Sequence, residues 1–238
     1  MTDKQMTLVE HLDELRKRIL ISVAAIVIGA CVAFWKIQLI VSLLMFPPVD
    51  HLAFFSPAEA FVEYCKLAFF AGLFFASPVV LYQLWAFVSS GLRKEERRVV
   101  LFALPFSITL FLGGAVFSFF FVIPWALKFL IDFAGPNVYP ILSISKYLSF
   151  VIMLLVSFGI VFELPVVVMV LSKIGIVSPS FLSKNRKFAI VAIFIAAAVI
   201  TPSPDAFTQC LMAGAMIFLY ELSIWISKLV YNKRGNRG

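Results

Sequence analysis

The chain has 238 residues, of which 62% are hydrophobic and 14% charged, and its mean hydropathy is +1.02. No soluble domain needs so large an apolar fraction, so the composition excludes that class and indicates an integral membrane protein. The net charge of +7 comes from lysine and arginine clusters near the ends of apolar segments. That placement is typical of membrane topology and gives no reason to expect nucleic-acid binding.

The segment before the first apolar run predicts a helix. Thr7 and Glu10 have the spacing of a capping box. Apolar residues then recur at helical spacing, at Leu8, Leu12, Leu15 and Ile19. We expect a cytoplasmic amphipathic helix within residues 1–18 that lies on the membrane surface or against the bundle.

The charged residues of this helix leave two interpretations open. Glu14 with Arg18, and Asp13 with Lys17, are spaced as simple i,i+4 ion pairs on a helix surface. Alternatively, one of the acids binds a cationic ligand. Spacing alone favours the simple pairs.

Six apolar runs follow along the chain. Four of them are long enough to cross a hydrocarbon core about 30 Å thick; they are Ile19–Phe46, Leu67–Val88, Val99–Leu127 and Tyr147–Leu171. The last two, Phe188–Ile200 and Phe207–Tyr220, are short and reach only about 20 Å at about 1.5 Å per residue. They require a thinned bilayer or a re-entrant arrangement. The predicted fold class is an all-α integral membrane protein.

Lysine and arginine placement predicts the topology, because short loops rich in these residues stay in the cytoplasm. Basic clusters fall on one side of the membrane if the chain crosses at each run; they lie at residues 4–18, 93–98, 173–187 and 228–237. We therefore expect one polytopic domain with a bundle over about residues 19–227. Residues 228–238 form a basic tail, and both termini face the cytoplasm.

The sequence offers little for catalysis. There is no H-E-x-x-H, no phosphate-binding G-x-x-x-x-G-K-[ST] and no nucleophile elbow. Asp50 and Asp205 lie in loops, so they do not form a facing pair of carboxylates within the membrane. The cysteines have no paired spacing; they are Cys31, Cys65 and Cys210. We expect neither an enzyme nor a bound metal or cofactor.

Glu163 lies near the middle of the apolar run Tyr147–Leu171. A carboxylate at that depth is costly and usually belongs to a site, a partner contact or an ion path. Pro165 has no backbone N–H, so the carbonyl of Val161 loses its usual helical partner. The pattern predicts a polar notch in an apolar helix. A glutamate that only packs the bundle is the simpler alternative.

Several short motifs occur along the chain in a fixed order. They run from His11-Leu-Asp-Glu-Leu-Arg-Lys-Arg18 through Ser56-Pro57 with Phe61, Ala76-Ser-Pro-Val-Val-Leu-Tyr-Gln-Leu-Trp-Ala-Phe87, Glu96-Arg-Arg98, Tyr147-Leu-Ser-Phe150, Phe158-Gly with Phe162-Glu-Leu-Pro165, Thr201-Pro with Asp205 and Gln209, and Leu219-Tyr-Glu221. Together they resemble the motifs of the TatC family, the multispanning receptor subunit of the twin-arginine protein translocase. The resemblance covers the chain from about Leu8 to Lys228.

The resemblance implies a concave bundle of six transmembrane helices, with the last two short, whose cytoplasmic face binds the twin-arginine signal peptides of folded cargo proteins. Glu14 and Glu96 are then the acids that meet the paired arginines, with Arg16 and Arg97 in the same motifs. A guanidinium binds a carboxylate bidentately and an ammonium does not, which agrees with this assignment.

The same resemblance implies partners within the bacterial or archaeal cytoplasmic (inner) membrane. Glu163 and Gln209 become contacts for single-span subunits of the TatA and TatB kinds, and the chain self-associates in a larger complex among membrane lipid. Structural or periplasmic-cap roles fall to Pro47, Phe61 and Asp205. Transport is driven by the proton-motive force.

A function from another class is a proton-coupled small-solute transporter with Glu163 as the proton carrier. Such transporters often contain internal repeats and paired broken helices. The two halves of this chain show no convincing repeat. A solute carrier also leaves the acids of the N-terminal helix and the first cytoplasmic loop unexplained.

Overall fold

The computed structural model describes residues 8–47, 49, 51–92, 94–135, 140–201, 203 and 205–235, with the backbone alone at 8, 94–96, 98–99 and 230–235. These residues form α-helices joined by short connections, with one π-helical turn and no strand. The elements are α1 Leu8–Trp35, α2 Ile37–Leu44, α3 Pro57–Ser90, α4 Lys94–Phe117, the π turn Ser118–Val122, α5 Ile123–Phe133, α6 Ile144–Val161, α7 Leu164–Ile174, α8 Pro179–Lys184, α9 Arg186–Ile200 and α10 Ala206–Gly235.

Five helical segments of the described chain are long and apolar enough to cross a membrane. They are Val9–Trp35, Pro57–Ser90, Val100–Phe133, Ile144–Ile174 and Ala206–Leu229. Helix α9 has 15 residues, which reach only about 22 Å at about 1.5 Å per residue. The predicted all-helical membrane protein is confirmed, and α9 is as short as its apolar run predicted.

The N-terminal helix is not separate from the first span. Helix α1 is continuous from Leu8 to Trp35, so the amphipathic turns and the apolar turns form one rod. Thr7, the first residue of the predicted capping box, lies outside the described residues. The prediction that the first apolar run continues to Phe46 is wrong, because a turn at Lys36 ends α1 and a separate helix α2 follows.

The prediction that the last helix is short is wrong as well. The apolar run in the sequence stops at Tyr220, before Glu221, yet α10 continues to Gly235 and is apolar through Leu229. Glu221 is compatible with this helix because it forms an ion pair with Arg186 at the start of α9, with Nε and Oε1 2.9 Å apart. An ion pair between two helices therefore accommodates a charged residue at the position where the apolar pattern predicts the end of the span.

Helices α1 and α3 approach each other more closely than side chains allow. A Cβ on Gly72 would lie 2.5 Å from the backbone nitrogen of Ala30 and 2.7 Å from the carbonyl oxygen of Ile26, and one on Gly29 would lie 2.8 Å from the Gly72 carbonyl oxygen. Small residues at such crossings let two backbones meet in a membrane. The α1–α3 pair therefore depends on both glycines.

Helix α6 lies at the centre of the bundle. Its most buried residues are fully enclosed by neighbouring helices; they are Leu148, Val151, Leu154 and Phe158. Gly114 of α4 packs directly on it, since a Cβ there would lie 2.4 Å from the Phe158 carbonyl oxygen. Helix α7 continues from α6 and packs on α10, where the hydroxyl oxygens of Ser172 and Ser227 lie 2.7 Å apart.

The span formed by α4 and α5 contains the π turn. The backbone N–H of Ile123 donates to the carbonyl of Ser118, and Pro124 at the start of α5 has no N–H to continue the α pattern. Two further prolines, Pro78 and Pro105, lie within α3 and α4, which are continuous helices. Of these three prolines, Pro124 is the one that lies beside a change of helix type.

The α2–α3 connection is fastened to the start of α6. The backbone N–H of Ala53 donates to the Leu142 carbonyl at 2.9 Å, and the Ala53 carbonyl accepts from the backbone N–H of Ile144 at 2.9 Å. The hydroxyl of Tyr147 donates to the carbonyl of Leu44 at 2.8 Å and accepts from the backbone N–H of Phe46 at 3.0 Å. These bonds hold two connections together at one end of the bundle.

Gly72→Ala is expected to lower the free energy of unfolding by about 1–3 kcal/mol, because the added methyl group meets the α1 backbone and forces the helices apart. Gly113→Ala is the matched control, since a Cβ at Gly113 has open space around it and alanine is the better helix former. Thermal unfolding in detergent measures both. An unfolding temperature for Gly72→Ala at or above that of the unmodified protein would contradict the proposed crossing.

Candidate functional site

The first candidate site lies where the N-terminal part of α1 packs on the C-terminal part of α3. His11 stacks on Phe87 with ring centroids 4.5 Å apart. Two turns further along α1, the Arg18 guanidinium donates to Glu14 Oε1 from Nε at 2.9 Å and from Nη2 at 2.5 Å. Its Nη1 donates to Gln83 Oε1 at 3.0 Å. The predicted i,i+4 pair therefore forms and is extended to α3 by Gln83.

The Glu14 carboxylate is largely shielded from solvent. Its side chain is 18% exposed and that of Arg18 is 20% exposed. Ser90 of α3 lies beside the carboxylate, but its hydroxyl donates to the Phe87 carbonyl at 2.7 Å. Glu14 Oε2 is buried and accepts no hydrogen bond from any group that the structure describes. One oxygen of Glu14 is thus bonded to Arg18, and the other is buried without a described hydrogen-bond donor.

Of the other predicted signal-binding residues, one lies on α1 with Glu14 and two lie at the start of α4, shortly after α3 ends. Arg16 is exposed on α1, and Arg97 is exposed on α4. The backbone of Glu96 lies in the first turn of α4, shortly after the end of α3, the helix that packs beside Glu14. The Glu96 side chain lies outside the part of the chain that the structure describes. The second i,i+4 pair, Asp13 with Lys17, is not formed by the side chains as described, and both are exposed.

The second candidate site surrounds Glu163, at the break between α6 and α7. The Ser107 hydroxyl of α4 lies 2.8 and 2.7 Å from the two carboxylate oxygens and donates to them. Ser107 accepts from Trp85 Nε1 of α3 at 2.9 Å. Trp85 and Ser107 are both buried, while Glu163 is half-buried. Three helices therefore meet in a chain of hydrogen bonds.

The backbone at Glu163 has the predicted notch. Its N–H donates to the carbonyl of Ile160 at 3.0 Å, a tighter turn than an α-helix, and its own carbonyl accepts from Val166 and Val167. Pro165 supplies no N–H. The chain therefore ends one helix and begins the next at the carboxylate, which turns the side chain towards Ser107.

Sequence reasoning did not find Trp85 or Ser107. Both lie in apolar runs where the sequence offers no charge to mark them. The available signal was chemical: an indole N–H inside a membrane span needs an acceptor, and a serine hydroxyl needs a partner.

Gln209 and Asp205 lie at the start of α10 and make separate contacts. Gln209 Nε2 donates to the Phe194 carbonyl of α9 at 3.2 Å. Asp205 accepts from the backbone N–H of Thr208 at 2.6 Å and from the hydroxyl of Ser203, so it caps the helix. Gln209 bridges the last two helices and Asp205 has a structural contact.

Pro47 and Phe61 are both exposed at the end of the bundle opposite Glu14. Pro47 lies in the α2–α3 connection, and the Phe61 side chain on α3 is 63% exposed. Both residues lie near the inter-helix connections that the hydrogen bonds of Tyr147 hold together. Neither residue is held in the core, so both are accessible to a partner or to lipid.

A third set of polar residues, which the sequence analysis did not single out, joins α3 to α6. Glu63 is 6% exposed and accepts from the Ser145 hydroxyl at 2.8 Å. Lys66 Nζ lies 3.4 Å from Glu63 Oε2 and donates to Ser149 Oγ at 2.5 Å. The predicted run began at Leu67, but α3 begins at Pro57, so these charges lie within the helix.

Among the described residues, no group of three or more histidine, cysteine, aspartate or glutamate side chains is arranged to hold a metal ion. The fold and the sites define a polytopic α-helical membrane protein with a carboxylate–guanidinium cluster at one end and a hydrogen-bonded carboxylate between its spans.

The chain belongs to the TatC family, because the model of the Sec-independent protein translocase protein (TatC) matches residues 10–214. It is 46% identical over 236 residues to the Sec-independent protein translocase protein TatC of Carboxydothermus hydrogenoformans, covering 98% of this chain and 97% of the relative. It is 41% identical over 236 residues to that of Aquifex aeolicus, covering 96% and 98%.

A solved structure agrees with this assignment. The crystal structure of the twin arginine translocase receptor TatC matches with a TM-score of 0.81 and 41% identity, over 93% of this chain and 99% of that chain. The resemblance read from the sequence motifs is therefore confirmed. The protein is a multi-pass membrane component of the twin-arginine protein translocase.

Ser107→Ala and Trp85→Phe are expected to lower the free energy of unfolding by about 1–3 kcal/mol each, because each leaves a buried polar group without its partner. Their double-mutant cycle in thermal unfolding should show a coupling of about 0.5 kcal/mol or more. Ser42→Ala is the control, since its hydroxyl is exposed and bonds only within its own helix. Strict additivity of the two changes would contradict the hydrogen bond.

Proposed function

We propose that the protein is the receptor and core subunit of a twin-arginine translocase. It binds the twin-arginine signal peptides of folded cargo proteins and recruits single-span partner subunits of the TatA and TatB kinds. The observation that carries the proposal is the Glu14 carboxylate, which already binds one guanidinium, that of Arg18, in a partly buried cluster between α1 and α3. A carboxylate in that setting is chemically suited to an arginine ligand.

The chemistry of the Glu14 carboxylate favours arginine over lysine as the ligand. A guanidinium offers several N–H donors in one plane and pairs with a carboxylate through two bonds, whereas an ammonium is a compact point charge. The surrounding end of the bundle is basic, with Arg16 and Arg97 exposed. Local carboxylates must therefore carry the attraction, and Glu14 with Glu96 is the proposed pair.

The proposed topology has six crossings with both termini in the cytoplasm, in the cytoplasmic (inner) membrane. The four basic clusters support it, because six crossings place all of them on one side. Helix α9 is the additional crossing, and its 15 residues require local thinning of the bilayer. The Glu14 cluster then faces the cytoplasm, and Pro47 with Phe61 forms part of a periplasmic cap.

The proposed partner contact is the Glu163 carboxylate, aided by Gln209 at the start of α10. Glu163 is half-buried and receives its described hydrogen bonds from Ser107 alone, so the carboxylate has acceptor capacity left for a polar group on a partner helix. Further copies of the chain assemble with it. The proton-motive force supplies about 2.3 kcal/mol per charge per 100 mV.

Changing both Glu14 and Glu96 to glutamine is expected to weaken binding of a twin-arginine signal peptide by about tenfold or more, because each change removes a charge-assisted hydrogen bond. Titration of the full chain in nanodiscs with a labelled signal peptide measures this. The twin-lysine version of the peptide shows how much of the affinity is specific to arginine.

Asp13→Asn is the matched control, because Asp13 is an exposed acid of the same helix; its binding should stay near that of the unmodified protein. Undiminished binding by the double variant would refute the assigned site. Equal affinity of the unmodified protein for twin-arginine and twin-lysine peptides would refute the receptor function.

Glu163→Ala is expected to weaken association with single-span partner subunits while signal-peptide binding is retained, because Glu163 lies between spans and away from the α1–α3 junction. Glu163→Gln keeps the acceptor for Ser107 and should retain more of the association. Co-purification of the partners and peptide titration on the same preparations separate the two effects. An equal loss of both activities in the alanine variant would indicate a folding defect instead.

A further inference from the structure

An open cavity of about 460 Å³ lies between α5 and the start of α10. The residues that line it are Trp125, Lys128, Phe129, Asp132 and Phe207. The rings of Phe129 and Phe207 stack with their centroids 4.1 Å apart, so one wall of the cavity joins the two helices. The cavity therefore combines an aromatic wall with one charged side chain of each sign.

This cavity lies at the depth where the span formed by α4 and α5 leaves the hydrocarbon core. Lys128 directly follows the apolar run Val99–Leu127, and α5 ends at Phe133. Trp125 is 62% exposed, which is typical of the aromatic belt at a membrane–water interface. Phospholipid headgroups surround the protein at this depth. Under the proposed topology they belong to the periplasmic leaflet.

The two charged side chains of the cavity have no partner within the part of the chain that the structure describes. Lys128 and Asp132 are exposed, and neither forms an ion pair or a side-chain hydrogen bond with a described residue. They are four residues apart on α5, so their Cβ atoms are about 5–6 Å apart, and lysine before the acid is the less favourable order for a pair. Each charge is therefore available to a different group of one ligand.

We propose that the cavity binds the headgroup of a zwitterionic phospholipid, phosphatidylethanolamine, with the phosphate at Lys128 and the ammonium group at Asp132. A short ethylene linker joins these two groups, so they can reach side chains one helical turn apart. The lysine donates to a phosphate oxygen, and the primary ammonium donates to the carboxylate. The acyl chains remain in the bilayer beside Trp125. This lipid site does not depend on the proposed signal-binding function.

Asp132 distinguishes this headgroup from an anionic one. Phosphatidylglycerol also offers a phosphate to Lys128, but its glycerol carries no positive charge, so Asp132 repels this lipid. Lys128 attracts the phosphate of both lipids and, by itself, favours the anionic one, because it repels an ammonium group. The two side chains therefore act on the ratio of the two lipids in opposite directions. With both present, the ammonium group is held at Asp132, away from Lys128, and the zwitterionic lipid is preferred.

The experiment measures which lipid lies beside Trp125. The full chain is placed in vesicles of phosphatidylethanolamine and phosphatidylglycerol, with bromine on the acyl chains of one lipid or the other to quench tryptophan fluorescence. The exposed Trp35 and Trp225 are changed to phenylalanine. The emission of the buried Trp85 is then subtracted with a Trp125→Phe variant of the same background. Both leaflets have the same composition, so the orientation of the inserted protein does not affect the result.

At equal mole fractions, brominated phosphatidylethanolamine is expected to quench Trp125 more than brominated phosphatidylglycerol does. The local preference should be about two- to fivefold, because exposed ion pairs are weak. Asp132→Asn should shift the ratio towards the anionic lipid by a similar factor, whereas Lys128→Gln should not shift it in that direction. Asp13→Asn is the matched control, since Asp13 is an exposed acid on α1; it should keep the preference.

Equal quenching by the two lipids in the unmodified protein would overturn the proposal, as would an unchanged ratio in Asp132→Asn. A shift towards the anionic lipid in Lys128→Gln would also overturn it, because the assigned positions of phosphate and ammonium would then be wrong. Quenching by neither lipid would show that a second copy or another protein covers the cavity, and the lipid assignment would fail.

Discussion

The contact between Gly29 and Gly72 sets the register of α1 against α3, and the surface site depends on that register. Arg18 and Gly29 are eleven residues apart, as are Gly72 and Gln83, so each pair is separated by about three helical turns. Two antiparallel helices that meet at the glycines therefore bring Arg18 to Gln83. A shift of one residue along either helix would rotate these side chains apart.

Three polar side chains of α3 bond to a helix other than their own. Gln83 reaches α1, Trp85 reaches α4 and Lys66 reaches α6. Because water is scarce in hydrocarbon, an unpaired polar group there is costly, and pairs across helices fix the order in which the helices pack. Helix α3 supplies members of all three pairs, so it connects the end of the bundle with its interior.

The two candidate sites therefore share one structural element without sharing a residue. Gln83 and Trp85 are two positions apart on α3 and lie on different sides of it, one facing the Arg18 guanidinium and the other facing Ser107 and Glu163. Under the proposed function, α3 is the rigid element that connects the peptide site with the partner-helix site.

The sequence by itself determined the membrane class, most of the spans and the polar notch at Glu163, because hydropathy and the missing N–H of Pro165 act locally along the chain. Only the tertiary structure decided that α1 is one continuous rod, that α10 extends past Glu221, and that Ser107 is the partner of Glu163. Those outcomes depend on groups far apart in sequence, and an apolar pattern carries no information about which helix lies next to which.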